Sequence, residues 1–277
     1  MSSPRVSVGN VEIVALLDTM MEFDWKMFFP NNDPSDFHPY RDLYPESFGD
    51  GKFRTAAHCY ALRSQGRTIL CDTGLGPGPI AWLGGIRGRL VDDMREKGVP
   101  PEDVDMVVFT HLHGDHVGWN LTAENAATFP KATYLVPRAD WDFFGSSQML
   151  PANPQMQQVL PLKDLGILEL FDGERALTAE VITHPTPGHT PGHTSLIVSS
   201  AGERALVAGD LAHHPAQVDR TEWSSGFDGD PAAAVQTRSR VLDRIEAEGS
   251  LGVFCHFPDA GFGRLVRLDG KRVFQAL

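Results

Sequence analysis

The sequence predicts an α+β fold with its chemistry gathered at strand ends, and three observations carry that expectation. Apolar runs of strand character recur along the whole chain, while helical period is confined to three stretches. Two of the runs, HCYALRS and RTILCDT, are separated by the turn pair Gln65-Gly66. Four clusters of His and Asp each follow a β-rich apolar run: VVFT before His111, the 178–184 segment before His193, ALVAG before Asp210 and LGVF before His256. Ligands on loops at strand ends can converge on one edge of a sheet sandwich.

In chain order, RVSVGNVEIVALLD alternates as a strand, and the Gln65-Gly66 pair makes the next two runs an antiparallel hairpin. Between them, residues 20–50 carry no clear period and are crowded with Trp25, Phe28, Phe29, Pro30, Phe37, Pro39, Tyr40, Tyr44 and Phe48. A long aromatic segment serves either as a lid over a site or as a satellite core covering a sheet edge, and the sequence leaves both open. RLVDDMREKG reads as a helix stopped by Gly98, and DMVVFT as a short buried strand ending where the histidines begin. ATYLVP and RADWDFF give a further strand and helix. The poorly patterned stretch 145–163 reads as cap or dimer surface. Strands follow at LGILELF, AEVITH, TSLIVSS and RALVAGD. DPAAAVQTRSRVLDRIEAEG is then helical, with Asp230 as cap, Pro231 in the first turn and Val235, Leu242 and Ile245 near one face. SLGVFCHF and GRLVRLDGKRVFQAL supply the closing strands.

With 277 residues, 42% of them hydrophobic, the chain can bury one large core. No linker, charge block or repeat divides it, so one domain over residues 1–277 is expected. A net charge of -12 argues against nucleic acid and favours a small neutral or weakly charged substrate. MSSPRVSVGNVEIV lacks the charged and apolar regions of a leader, and no apolar run approaches the ~20 residues of a membrane span. A cytoplasmic protein without a membrane partner is the expectation. Cys59, Cys71 and Cys255 are odd in number and suit apolar packing better than disulfides.

The chemistry centres on HLHGDHVGW. In extended backbone His111 and His113 point to the same side and can share one ion. A tight turn at Gly114 then lets Asp115 and His116 face a neighbouring position, where imidazole and carboxylate suit a borderline metal such as zinc. PTPGHTPGHTS offers two histidines, His189 and His193, of which one is expected to bind. Asp210 in AGDLAHH and His256 in CHF complete a pair of sites, since two close cations need a shared anion.

HLHGDH resembles the H-x-H-x-D-H signature of the metallo-β-lactamase-like superfamily, and TPGH, GD and a late His follow in that superfamily's order over about residues 55–256. The resemblance implies a four-layer αββα sandwich with its metals at one edge. It assigns His111, His113 and His193 to the first ion, Asp115, His116 and His256 to the second, and Asp210 as the bridge. It also makes Asp72 in CDTG an orienting partner for a ligand histidine. The cofactor implied is two zinc ions, with Mn, Fe or Co as substitutes.

GDLAHHPAQV, FDGDPAAAVQTR and HFPDAGFGRL resemble the branch of methyl parathion hydrolase and lactonase-like enzymes. The activity implied is cleavage of a lactone or carboxylic ester, and of phosphotriesters in some members, by a hydroxide bridging the ions, with Asp115 or Asp210 steering the proton. Acyl-homoserine lactonases carry a tyrosine three residues after the bridging aspartate; here that place holds His213, a candidate hydrogen-bond or proton donor. No G-x-S-x-G motif offers a rival nucleophile. Glyoxalase-type thioesterases share the ligand set, and an iron-dependent sulfur dioxygenase uses a subset of it. Trp25, Phe28, Phe29, His58 and Trp119 are the candidate pocket residues, and a homodimer is the assembly the resemblance suggests.

Overall fold

The apolar runs fold into two sheets that pack face to face. The computed structural model describes residues 4–277, so the first three residues of the N-terminal segment lie outside the described residues. One sheet holds seven strands in chain order: β1 (Arg5–Val8), β2 (Val11–Phe23), β3 (Phe53–Ser64), β4 (Arg67–Cys71), β5 (Met106–Val108), β6 (Thr133–Pro137) and β7 (Leu168–Phe171). The other holds β8 (Val181–Pro185), β9 (Thr194–Ser200), β10 (Glu203–Val207), β11 (Leu251–Val253), β12 (Phe262–Leu268) and β13 (Lys271–Ala276). Among the described residues six α-helices accompany them: α1 (Trp25–Phe28), α2 (Leu90–Glu96), α3 (Gly114–Val117), α4 (Arg138–Phe144), α5 (Leu160–Asp164) and α6 (Pro231–Glu248).

Strand period sorts the core into layers. On β2, Ile13 and Ala15 face the second sheet, while Val14 and Leu16 face the helices; Tyr60 and Leu62 against Cys59 and Ala61 repeat this on β3. Leu90 and Met94 of α2, Phe144 of α4 and Leu162 of α5 cover the first sheet, and Val241, Leu242 and Ile245 of α6 cover the second. The result is the αββα arrangement. Asp230 caps α6, accepting the Ala233 amide at 3.0 Å, as the sequence predicts. The Gln65-Gly66 turn joins β3 to β4 with both residues at positive φ, which suits the right-handed twist of the strands. The three cysteines are free and buried, and no helix among the described residues is long and apolar enough to cross a membrane.

Some expectations are corrected. RVSVGNVEIVALLD is two strands parted at Gly9, and the second continues through Phe23, four residues into the segment read as patternless. A register shift between Leu17 and Thr19 inverts the alternation there, which hides the strand. On α6 the buried stripe is Ala234, Thr237, Arg238, Val241, Leu242 and Ile245, with Val235 to one side. Within 145–163, Met156, Val159 and Leu162 are fully buried against the first sheet, so the second half of that stretch is anchored in the core.

Candidate metal centre

The four ligand-bearing loops leave the same edge of the sandwich. After β5 the chain bends at Thr110, is extended at His113, and α3 begins at Gly114. The turn that carries Asp115 and His116 is therefore helical, and Gly114 needs no left-handed backbone. Asp210 sits on a tight turn after β10. Gly209 before it has φ +57°, and a Cβ there would lie 2.8 Å from His193 Nε2, so the turn requires glycine.

Four of the inward-facing rings are held by their other nitrogen. Asp72 accepts from His116 Nδ1 at 2.9 Å and from the Thr110 hydroxyl at 2.8 Å, and that hydroxyl in turn accepts from His111 Nδ1 at 3.0 Å. One carboxylate thus orients two rings, the role the resemblance implied for it. His256 Nδ1 donates to the Ala56 carbonyl at 2.7 Å, and His189 Nδ1 to Asp228 at 2.9 Å.

The free nitrogens converge on Asp210. His116 Nε2 and His256 Nε2 lie 3.2 Å from its Oδ1; His189 Nε2 and His213 Nε2 lie 3.2 Å from its Oδ2, with His111 Nε2 at 3.7 Å. Asp115 Oδ2 stands 3.6 Å from His256 Nε2 and is the more exposed carboxylate, at 22%. His113 turns Nδ1 inward, 2.9 Å from His189 Nε2. The Nε2 atoms of His111, His116 and His213 are buried without a hydrogen-bond partner. Orphaned imidazole nitrogens around a shared carboxylate are what a divalent cation requires, so the residues fit such an ion. Among the described residues three groups could hold one, and two of them share Asp210: His111, His113, His189 and Asp210; and His116, Asp210, Cys255 and His256; the third is His189, His213 and Asp228.

His193 differs from the expectation. Its Nδ1 donates to the Thr186 carbonyl at 2.9 Å and its Nε2 accepts the Asp210 amide at 2.9 Å, so neither nitrogen is free. The structure brings His189 to that place.

Electrostatics follow from burial and from Asp210. Burial disfavours charge on His116 and His256, but Asp210 with Asp115 outweighs it and holds both pKa values up, and His189 rises to about 9 against burial through Asp210 and Asp228. Burial, reinforced by neighbouring rings, holds His111 and His113 well below their usual value and His193 at about 3. Asp210, despite burial, is kept well below the carboxylate range by the imidazoles.

The family model of the metallo-beta-lactamase superfamily matches residues 53–256. The chain belongs to that superfamily. An N-acyl homoserine lactonase of Bacillus sp is 25% identical over 214 residues, covering 72% of this chain and 80% of that relative. The lactonase AttM of Rhizobium radiobacter is 27% identical over 179 residues, covering 61% and 64%. Among solved structures, the hydrolase AbOPH aligns at TM-score 0.86 with 24% identity, covering 100% of this chain and 98% of that one. AidC, a dizinc quorum-quenching lactonase, aligns at 0.86 with 20% identity, covering 100% and 97%. Membership and relatives together place the chain among the metal-dependent hydrolases.

In this superfamily member the aromatic segment is mainly a satellite core. Trp25 and Phe29 pack with Phe37 and Phe53, around the fully buried His214. Phe28 alone of the three reaches the centre, its ring 5.3 Å from that of His213. His58 lies buried, its Nδ1 donating to the Cys255 carbonyl at 3.2 Å, and Trp119 donates its indole N–H to Asp18 at 2.8 Å. Asp140, Asp228 and Cys255 were missed as contributors. Asp140 accepts from Leu112 N, Thr190 Oγ1 and Gly192 N, tying two ligand loops together; burial raises its pKa to about 6. The Cys255 thiol donates to Asp210 Oδ1 at 3.2 Å. A buried acid in RADWDFF and a cysteine beside His256 carry no pattern that marks such roles.

Proposed function

We propose that the protein is a dinuclear zinc hydrolase that opens lactones or cleaves carboxylic esters. The observation that carries this reading is the pair of donor groups sharing Asp210. His111, His113 and His189 would hold one ion and Asp115, His116 and His256 the other, with Asp210 shared between the two groups; the donor types suit zinc. When bound, such a pair lowers the pKa of water and polarises a carbonyl oxygen.

The chain's own residues set the stage for that chemistry. Asp72 and Thr110 fix the tautomers of His116 and His111, so that nitrogen lone pairs face inward. Asp115, the more exposed carboxylate, takes a proton from water and passes it outward. Burial holds the His213 pKa at about 4, so the ring is neutral near pH ~7 and donates one N–H to a substrate oxygen. It does so from the position where acyl-homoserine lactonases carry a tyrosine. Phe28 and Phe227, with rings 5.2 Å apart, give the leaving or acyl group an apolar wall beside His213. Relatives named as N-acyl homoserine lactonases support the lactone over the other substrate classes.

The test is a substrate panel on the zinc-loaded protein: N-hexanoyl homoserine lactone, an aryl acetate, a thioester and a phosphotriester. Lactone or ester turnover is expected, falling more than about 100-fold in His113→Ala and Asp210→Ala, beyond what loss of an outer partner costs. Thioester hydrolysis alone, or a single iron with sulfur dioxygenase activity, would overturn the reading.

A further inference from the structure

Arg238 is the largest side chain fully buried among the described residues, and it sits on the inward stripe of α6. A guanidinium is rarely buried unless all its donors are engaged. Here Nε donates to the Leu211 carbonyl at 2.7 Å, Nη1 to the carbonyls of Thr221 and Trp223 at 2.9 and 2.8 Å, and Nη2 to Asp228 Oδ2 at 3.3 Å. Leu211 is the residue after Asp210. The other oxygen of Asp228 accepts from His189 Nδ1 at 2.9 Å. One guanidinium therefore bonds both the turn that carries Asp210 and the carboxylate behind His189.

A second set of contacts ties the same helix to the same loop. Thr237 Oγ1 donates to the Pro187 carbonyl at 2.8 Å. Gly188, at φ +135°, lies so close to α6 that a Cβ would meet the Ala234 amide nitrogen at 2.3 Å. The loop bearing His189 is thus seated on the first half of α6, and the Arg238–Asp228 pair is the polar part of that seat.

We propose that Asp228 and Arg238 are a buried positioning pair through which α6 sets the orientation of His189 against Asp210, and with it the affinity of one of the two metal ions. The inference rests on the assignment of His189 as a ligand in the proposed function. Asp228 keeps the hydrogen of His189 on Nδ1, so Nε2 is the nitrogen presented to His113 and Asp210. Arg238 keeps Asp228 charged and in place. The second donor group, His116 with His256, is held by Asp72 and the Ala56 carbonyl and makes no contact with the pair.

Wild type, Asp228→Asn and Arg238→Lys, stripped of metal and titrated calorimetrically with zinc, test the assignment. The wild type should bind two ions. Each variant should bind one ion as the wild type does and the other about 10–100-fold more weakly. The double variant should be no weaker than Asp228→Asn alone, because both residues act along one path. In the NMR spectrum of the zinc-loaded protein, the His189 Nδ1–H signal should be downfield and slow to exchange in the wild type, and shifted or lost in Asp228→Asn. That variant is isosteric and keeps the experiment readable if Arg238→Lys fails to fold. Unchanged affinities for both ions, or equal weakening of both, would overturn the pair as a positioning device. Two ions without lactone or ester turnover would refute the proposed activity and leave the pair standing; a wild type that takes up no zinc refutes both.

Discussion

His189 and His193 stand four residues apart in one repeat, TPGHTPGH, and only their hydrogen bonds separate them. His189 has its Nδ1 on Asp228 and its Nε2 at the cluster, whereas His193 is paired at both nitrogens. Replacing His193 with alanine removes two buried hydrogen bonds, so we expect a loss of about 1–3 kcal/mol in unfolding free energy with both ions retained. His189→Ala should instead lose one ion, and metal analysis with chemical denaturation separates the two outcomes. Asp72→Asn should weaken zinc by about 10–100-fold, read by titration, because the amide disturbs the donors of two rings at once. His214 gives a pH signature. Burial lowers its pKa from 6.5 to about 3 in the fold, so between those values the unfolded chain binds more protons and stability falls as the pH falls. Metal-free protein should lose about 2 kcal/mol from this residue between about pH 7 and 5, and His214→Phe, measured by urea unfolding, should lose correspondingly less. Residue types and spacing made the histidines of HLHGDH legible. They could not tell which ring of the repeat turns inward, because that depends on Thr186, Asp228 and the Asp210 amide, distant in sequence.

At the scale of elements, the periodic segments were legible and the irregular ones were not. The Gln65-Gly66 hairpin and the capped α6 follow directly from local chemistry. The continuation of β2 to Phe23 was hidden because the register shift beside Asp18 inverts its alternation. Asp18 itself, buried at that shift, accepts from Leu75 N, Leu90 N and the Trp119 indole, which is why Trp119 serves the scaffold. The aromatic segment after β2 lacked a period because its short α1 and the 3-10 turns at Pro34–Tyr40 and Pro45–Ser47 pack through rings, not through a repeating face. Trp25 is the ring that joins Phe37, Phe48 and Phe53. Trp25→Ala should cost about 3–5 kcal/mol in stability, measured by denaturant unfolding, while the zinc content of the folded fraction stays at the wild-type value.

For the whole molecule, four layers put every ligand loop at one sandwich edge, and this was the most legible level of all. His and Asp clusters that each follow an apolar run can only meet if the strands end together, and the two sheets deliver that. What the order of elements could not convey is how the outer layer reaches the centre, as α6 does through Arg238 and α4 through Asp140. The central claim is that the two donor groups around Asp210 work as one dinuclear centre. It is tested most directly by adding zinc stepwise to metal-stripped protein while following hydrolysis of N-hexanoyl homoserine lactone. Turnover should become maximal only at about two zinc ions per chain. Full turnover at one ion, or none at two, would contradict the account.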